Sequence, residues 1–224
     1  MKKILIVVFI ASLLSCNNSN NVPWPDGKIP YRAVGFSSDE MIELFSCMME
    51  WQNKTGWAVE FVNVDVVDWN GANQVTIIRD ASYLGGISVT GPGYNRTQDQ
   101  YYIIGHSDGL FSNRFVFLHE LGHIIGVDHE HQRPDRDLFV TILWDEIRNK
   151  ETAFIAMGTM EPSFYDWKEY PYDYSSIMHY RQFDIIDFQG NEELAMKDEV
   201  SEIDAWKVRD IYTTQEDTDG ELEF

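Results

Sequence analysis

The sequence predicts an α+β fold, with strands and two helices in its first part and a mostly irregular second part that ends in one helix. The first observation is a set of runs rich in Val, Ile, Phe and Tyr, which are typical of strands. These runs lie at 29–34, 58–64, 75–79, 84–90 and 101–105. The second is a pair of helical patterns, one after Ser37 and one over 113–125. The third is the thinning of regular patterns between His129 and Tyr170.

The first helix is predicted to begin after Ser37 and to run to about Asn53. Ser37 and Glu40 form a capping box, in which each residue satisfies a backbone N–H of the other. Apolar residues follow at helical spacing and predict a core-facing stripe: Met41, Leu44, Phe45, Met48 and Trp51. Cys47 lies one position off that stripe, so we interpret it as a semi-buried thiol.

The second helix, 113–125, carries the residues around which the rest of the chain is arranged. Ser112 is a suitable N-cap, and Gly126 suits the end of the helix because glycine enters the left-handed conformation without steric cost. His119 and His123 are four residues apart, so both imidazoles leave the same face of the helix. The buried side is predicted to consist of Phe115, Leu118, Leu121 and Ile125.

This histidine spacing suits two nitrogen ligands of one zinc ion, with Glu120 beside them as a general base. A chain reversal at Gly126 can return His129 as a third ligand. Three protein ligands leave a fourth position for water, which is typical of catalytic zinc sites; structural sites are closed by four protein ligands. A chance HExxH is expected in roughly one chain in a hundred of this length, and the added Gly and His make chance far rarer.

The last helix is predicted to begin at Ser201 and to end near Thr213. Its packing residues are predicted to be Ile203, Trp206 and Ile211. Residues 215–224 are rich in Asp and Glu and form an acidic, solvated tail. Two further histidines, His106 and His131, have no metal-compatible spacing of their own and are expected to be solvated.

Composition excludes some classes of protein. Hydrophobic residues make up 44% of the chain, enough for a core, so a globular protein is expected. The formal charge of −20, or −22 without the two charges of Lys2 and Lys3, repels phosphate backbones and makes nucleic acid an unlikely partner. Two cysteines are too few for a disulfide framework.

The first residues resemble an export signal. A basic pair is followed by the apolar run 4–14, which has the length of a signal-peptide core and is too short to cross a bilayer. Leu13-Leu14-Ser15-Cys16 is similar to a bacterial lipobox. We therefore expect a signal peptide over 1–15, a lipid anchor on Cys16, a polar tether over 16–23 and a cell-envelope lipoprotein at the outer membrane or surface. The alternative is ordinary cleavage nearby and a secreted, unlipidated form.

HELGHIIGVDHEHQRPDRD (119–137), with a methionine turn YDYSSIMHY (172–180), resembles the astacin family of metzincin zinc peptidases. Weaker matches extend the likeness from the Trp24 segment to the Ser201 segment. The resemblance implies a catalytic domain over 24–214 with two lobes and an active-site cleft between them. It implies a mixed, twisted five-stranded sheet and two long helices in the first lobe. The second lobe would be mostly irregular with one terminal helix.

The resemblance also implies roles for single residues. Met178 would form the hydrophobic floor beneath the zinc, and Tyr180 would be a displaceable ligand that donates to the oxyanion; an ordinary core aromatic is the alternative for Tyr180. In the family, the glutamate after the third histidine binds a freed amino terminus inside the protein. A lipidated Cys16 conflicts with that role for Glu130, so a water or a local side chain is the expected partner.

The predicted function is zinc-dependent hydrolysis of peptide bonds by a monomer with one zinc ion and a protein or peptide substrate. Segment 84–90 resembles the family's edge strand, which pairs with an extended peptide. The alternative is a lipid-anchored binding or adhesion protein with a vestigial zinc site. The sequence does not identify the substrate. The family often favours an acidic residue just after the cut, through a basic side chain in the second lobe, and Lys197, the single cation between Glu192 and the last helix, does not map onto that role.

Overall fold

The structure is a computed structural model that describes residues 21–69, 73–84, 86–88, 92–106, 112–147, 157–180, 186–195 and 198–213. Within these ranges it contains three α-helices: α1 (Ser38–Lys54), α2 (Asn113–Ile125) and α3 (Glu202–Thr213). No helix in these ranges has both the length and the apolar character that a membrane crossing requires. The predicted signal peptide, Cys16, Lys197 and the acidic tail lie outside the described residues.

The described strands are β1 (Asn21–Val22), β2 (Lys28–Val34), β3 (Glu60–Asn63), β4 (Val75–Leu84), β5 (Gly86–Ser88), β6 (Tyr94–Asn95), β7 (Gln100–His106), β8 (Thr141–Ile142) and β9 (Ile186–Asp187). Five of them form one sheet in the order β3-β2-β4-β7-β5. Strands β3, β2, β4 and β7 are parallel, and β5 pairs antiparallel with β7 at the edge, so the sheet is mixed as predicted. Two antiparallel strand pairs, β1 with β6 and β8 with β9, lie outside that sheet.

Helix α1 begins and ends where the sequence predicts. The capping box is present: Ser37 accepts from the Glu40 backbone N–H, and the Glu40 carboxylate accepts from the Ser37 N–H. The stripe is confirmed at Leu44, Met48 and Trp51 and wrong at Phe45, which is 58% exposed. Cys47 is fully buried in its place, because α1 turns this side toward the first residues of α2, where the thiol lies 3.9 Å from the Arg114 carbonyl.

Helix α2 is buried around its whole circumference from Phe115 to Ile125. The Ser112 hydroxyl accepts from the Phe115 N–H, which confirms the predicted N-cap. The Trp51 indole N–H donates to the Leu118 carbonyl at 3.0 Å and ties α1 to α2. A helix enclosed on all sides can hold polar groups in a fixed place, because side chains in a close-packed core do not exchange rotamers freely.

Helix α3 confirms the predicted boundaries and the predicted packing of Ile211; Ile203 is half-buried, and the prediction for Trp206 is wrong. Trp206 is 45% exposed, whereas Asp204 and Lys207 are fully buried. The buried positions form one helical stripe: Asp204, Ala205, Lys207, Val208, Ile211 and Tyr212. An unpaired buried charge is costly, and the tertiary structure supplies the partners of these two residues from distant segments.

Two hydrophobic cores support this arrangement. The larger one unites the sheet with all three helices and includes Met178 from the methionine turn. The smaller one lies in the irregular part and gathers Val140, Ile142, Ile147, Met157, Tyr172, Tyr180, Ile186 and Phe188. The candidate site lies where these cores meet, because Met178 belongs to the first core and Tyr180 to the second.

Candidate zinc centre

Three histidine side chains converge on one point. The Nε2 atom of His129 lies 3.2 Å from Nε2 of His119 and 3.0 Å from Nε2 of His123. One nitrogen from each ring lies within 4.8 Å of the others, and all three residues are buried. In the described part of the chain, this is the group of His, Cys, Asp and Glu side chains that can hold a metal ion.

The other nitrogen of each ring is held by an oxygen acceptor. Nδ1 of His119 lies 2.8 Å from the Ile177 carbonyl, and Nδ1 of His123 lies 2.9 Å from the Val127 carbonyl. Nδ1 of His129 lies 2.7 Å from Oε1 of Gln132. A carbonyl can only accept a hydrogen bond, so each Nδ1 is the protonated nitrogen of its ring.

The three Nε2 atoms therefore present lone pairs to one another without a proton between them. That arrangement is unfavourable unless a cation sits among them, and imidazole nitrogens are a preferred donor set for zinc. An acceptor on the second nitrogen is also the usual orientation device of zinc-bound histidine. The residues present fit a zinc ion.

Burial keeps the rings of His123 and His129 neutral. Desolvation lowers the pKa of His123 to about 4, against a weaker opposing effect from its bond to the Val127 carbonyl. Burial lowers the pKa of His129 well below its ordinary value, with further lowering by the neighbouring histidines. A neutral ring is the form that binds a metal, so the protein presents its ligands ready for the ion at neutral pH.

The reversal that returns His129 depends on Gly126. Its φ of 121° lies in the region that side chains rarely adopt, and its N–H donates to the Gly122 carbonyl at the end of α2. An added Cβ would also lie 2.8 Å from the Phe164 ring. The predicted helix stop is confirmed.

Met178 lies beneath the ligand helix, as the resemblance implies for a floor. It is fully buried, and its sulfur packs so closely on Gly122 that a Cβ at this glycine would overlap it. The Met178 carbonyl accepts from the Glu130 N–H at 3.2 Å. The methionine turn is thus tied both to α2 and to the loop that follows the third histidine.

Glu120 is buried next to the first ligand. It is 2% exposed, and its Oε1 atom makes no hydrogen bond to any part of the chain that the structure describes. Burial raises the pKa of Glu120 to about 8, whereas a dication among the three imidazoles would act in the opposite direction. An unsatisfied buried carboxyl group is costly, so this oxygen is suited to a ligand or a water.

Tyr180 lies over the third ligand. Its ring centroid is 4.7 Å from that of His129 and 6.0 Å from that of His119. Burial raises the pKa of Tyr180, and the charge of Glu120 raises it further. The phenol therefore stays protonated and can donate a hydrogen bond.

The prediction that His131 is solvated is wrong. His131 is fully buried and stacks on the Tyr180 ring, with centroids 4.0 Å apart and planes 26° apart. Its position one residue beyond Glu130 carries it into the smaller core, where an aromatic ring packs well against a phenol. The side chain of His106 lies outside the described residues.

The Glu130 carboxylate accepts hydrogen bonds from three residues, of which Arg133 is local in sequence. Lys207 Nζ lies 2.5 Å from Oε2, and Oε1 accepts from Arg133 Nη1 at 3.0 Å and from the Asp173 backbone N–H at 2.8 Å. The side chains of Glu130, Arg133 and Lys207 are each at most 1% exposed. The expectation that a local side chain would occupy the carboxylate fits this geometry.

Sequence reasoning missed several residues of the site. The acceptors for Nδ1 are two backbone carbonyls and Gln132, and no spacing rule identifies a backbone carbonyl. Lys207 and Asp204 carried a usable signal, because they stand three apart inside the apolar stripe of an amphipathic helix. Cys47 is not part of the histidine cluster.

Comparison with known proteins places this geometry in a family. The profile of the astacin peptidase family matches residues 16–213. Zinc metalloproteinase nas-14 of Caenorhabditis elegans is 30% identical over 201 residues, which cover 84% of this chain and 37% of that protein. Bone morphogenetic protein 1 of Xenopus laevis is 34% identical over 159 residues, 70% of this chain and 20% of that protein. The chain thus spans a minor part of these relatives.

Two solved structures share the fold. High choriolytic enzyme 1, a hatching enzyme zinc-protease from Oryzias latipes, has a TM-score of 0.66 at 24% identity and covers 87% of this chain and 95% of its own. Myroilysin has a TM-score of 0.55 at 20% identity, with 87% and 96% covered. Together with the family profile and the three converging imidazoles, these likenesses lead to one conclusion. The chain belongs to the astacin family of zinc metalloendopeptidases.

Proposed function

We propose that this chain cleaves peptide bonds in proteins or peptides with Glu120 as the general base and Tyr180 as an oxyanion donor. The observation that carries the proposal is the convergence of three buried Nε2 lone pairs beside a buried carboxyl oxygen that has no hydrogen bond in the described chain. A zinc ion in this place supplies Lewis-acid chemistry: it polarises a carbonyl and lowers the pKa of water toward ~7 from ~15.7.

Glu120 carries the proton in the proposed reaction. Its carboxylate accepts a proton from the attacking water and then delivers it to the leaving amine, so a single group serves both half-steps. Burial raises the pKa of Glu120, and a cation among the three imidazoles would lower it, so the two effects oppose each other. The enclosed site also excludes bulk water that would compete for the proton.

Tyr180 is the proposed donor to the negative charge that develops on the substrate carbonyl oxygen. Its phenol is protonated. Its ring packs against both His129 and His131, so the ring is held in place and the hydroxyl hydrogen is the part that can still reorient. A donor held in advance stabilises the transition state without a cost of reorganisation at the moment of reaction.

Substrate binding is proposed at the edge of the sheet. Strand β5 pairs on one side with β7 in antiparallel register, with Ile87 opposite Ile103. Among the strands that the structure describes it is the last in the order, and we propose its other backbone edge as the place where an extended peptide pairs. Main-chain pairing accepts many sequences, as a peptidase with several substrates requires.

Glu120→Gln tests the mechanism. The variant should keep the three imidazoles and their acceptors, so it should bind one zinc ion per chain and retain the fold. Its casein cleavage should fall by at least ~10²–10⁴, the share of a positioned general base. Zinc content is measured by atomic absorption and turnover by release of labelled peptides.

Glu60→Gln is the matched control, because this exposed carboxylate on β3 lies in the same domain and far along the sheet from β5. It should leave turnover unchanged. Undiminished cleavage by Glu120→Gln would rule out the assigned role. Zinc binding without any cleavage by the unaltered chain would favour a binding protein with a vestigial zinc site.

We also propose that the chain is exported and anchored through a lipid on Cys16, with the catalytic domain over 24–214. The support is the leader pattern of residues 1–16. Expression in a bacterium with labelled palmitate should label the unaltered chain and not a Cys16→Ser chain. Label in both, or in neither, would contradict the anchor, and size-exclusion chromatography of the unlipidated form tests the expected monomer.

A further inference from the structure

Helix α3 carries two fully buried charged residues on one face. Asp204 and Lys207 are both 0% exposed and stand three residues apart, so their side chains leave the helix in the same direction. Burying a charge is costly unless hydrogen bonds and an opposite charge compensate it. The partners of this pair therefore show what the pair does.

Asp204 holds the methionine turn. One of its carboxylate oxygens accepts from the Ser176 hydroxyl at 2.6 Å, and the other accepts from the Ile177 backbone N–H at 2.8 Å. The carbonyl of Ile177 is the acceptor for Nδ1 of His119. Asp204 thus binds the N–H of the same residue, Ile177, whose carbonyl orients His119.

Lys207 holds the loop of the third histidine. Its ammonium group lies 2.5 Å from Oε2 of Glu130, the residue directly after His129. The backbone N–H of Glu130 donates to the Met178 carbonyl in the methionine turn. Asp204 therefore acts on the residue that orients His119, and Lys207 acts on the residue that follows His129. The two sets of contacts meet at Met178 in the methionine turn.

We propose that Asp204 and Lys207 are positioning residues of the zinc centre: they fix the orientations of His119 and His129 from α3 and so set metal affinity. The inference rests on the proposed zinc-dependent function, which it deepens. The two residues touch neither the metal position nor a substrate. They act through the Ile177 carbonyl and through Glu130, whose own remaining oxygen is held by Arg133 and Asp173.

The test compares zinc affinities of Asp204→Ala, Asp204→Asn and Lys207→Met by competition with a chromophoric chelator. Loss of such supporting groups typically costs 10–100-fold in metal affinity, and we expect about that weakening for Asp204→Ala and Lys207→Met. Asp204→Asn keeps one acceptor oxygen, so its affinity should lie between those of Asp204→Ala and the unaltered chain. The cobalt(II) form of Asp204→Ala and Lys207→Met should also show a shifted visible spectrum, because the ligand geometry changes.

Two matched controls come from a solvent-accessible ion pair that joins the start of α3 to the end of α1. Glu202 pairs with Lys54 at 3.0 Å, and the Glu202 side chain is 78% exposed. Glu202→Gln and Lys54→Met remove the same kinds of charge without touching the ligand loops, so their zinc affinity and cobalt spectrum should be unchanged. Equal losses in these controls would overturn the inference, since any change in α3 would then have the same effect.

Lys207→Met leaves the buried Glu130 carboxylate with one cation, Arg133, in place of two and can prevent folding. Glu130→Gln with Lys207→Met removes both charges and avoids that difficulty. A folded double variant with weakened zinc affinity supports the inference. A folded double variant with unaltered zinc affinity and cobalt spectrum overturns it. A folded Asp204→Ala chain with unaltered zinc affinity also overturns it. Zinc affinity is read without any substrate, so a chain that binds zinc but cleaves nothing refutes the proposed function and leaves this test decisive.

Discussion

Gly122→Ala tests whether the packing of Met178 against α2 maintains the zinc centre. Gly122 lies between the two helical ligands, and a Cβ added there would overlap the Met178 sulfur. It would also lie 3.2 Å from the Met178 methyl carbon and 3.1 Å from the Trp51 ring. Both neighbours are fully buried, so neither can move into solvent to make room.

Two opposing effects set the change in the free energy of unfolding that Gly122→Ala causes. In a helix interior, alanine is favoured over glycine by ~1 kcal/mol. Extra volume forced into a packed core costs ~1–3 kcal/mol, and the close approach to two buried side chains places this site at the upper end. The net loss is then ~1–2 kcal/mol in the free energy of unfolding, which for a chain of this size lowers Tm by ~2–8 °C.

Differential scanning calorimetry in excess zinc measures the change in Tm, and chelator competition measures zinc affinity. The double variant Gly122→Ala/Met178→Ala completes a mutant cycle, since removal of the sulfur should relieve the overlap and leave a smaller penalty or a gain for the alanine. A Tm that rises in Gly122→Ala alone, as helix propensity by itself predicts, would refute the packing argument.

Three further predictions concern the zinc centre, the Cys47 thiol and the Glu40 carboxylate. Chelation of zinc should lower Tm, because an ion at a thousand times its Kd contributes ~4 kcal/mol to the folded state; an unchanged Tm after dialysis against a chelator would contradict the site. Burial raises the pKa of Cys47 from 9.0 to about 12. In a Cys16→Ser chain, where Cys47 is the remaining thiol, reaction with a thiol reagent at pH 8 should be on the order of 10³-fold slower in the native state than in urea. Equal rates in the two states would contradict the burial of Cys47. Hydrogen bonds from the Ser37 backbone and then from Arg79 lower the pKa of Glu40 from 4.5 to about 2, so its stabilising effect is complete above pH 4.5 and is lost as pH falls toward 2. The urea midpoint of Glu40→Gln should therefore fall less steeply across that window than that of the unaltered chain, and parallel curves would show that the carboxylate contributes nothing.

The sequence by itself determined the local parts of this protein. The capping box at Ser37, the bounds of α2 and the glycine stop at Gly126 follow from hydrogen bonds and dihedral preferences that act over three or four residues. The zinc triplet follows from the same short range, because one helical turn places His119 beside His123 and one reversal returns His129.

Tertiary structure alone decided which side of a helix is buried and which partners buried polar groups find. Phe45 and Trp206 are exposed, although their positions in the helical pattern predict that they pack in the core, whereas Cys47 is buried on α1. Asp204 and Lys207 are buried because carboxylate, ammonium and backbone groups from distant segments compensate one another there. The physical reason is range: dihedral and capping energies act between near neighbours in sequence, whereas desolvation and charge pairing depend on segments that meet only in the folded chain.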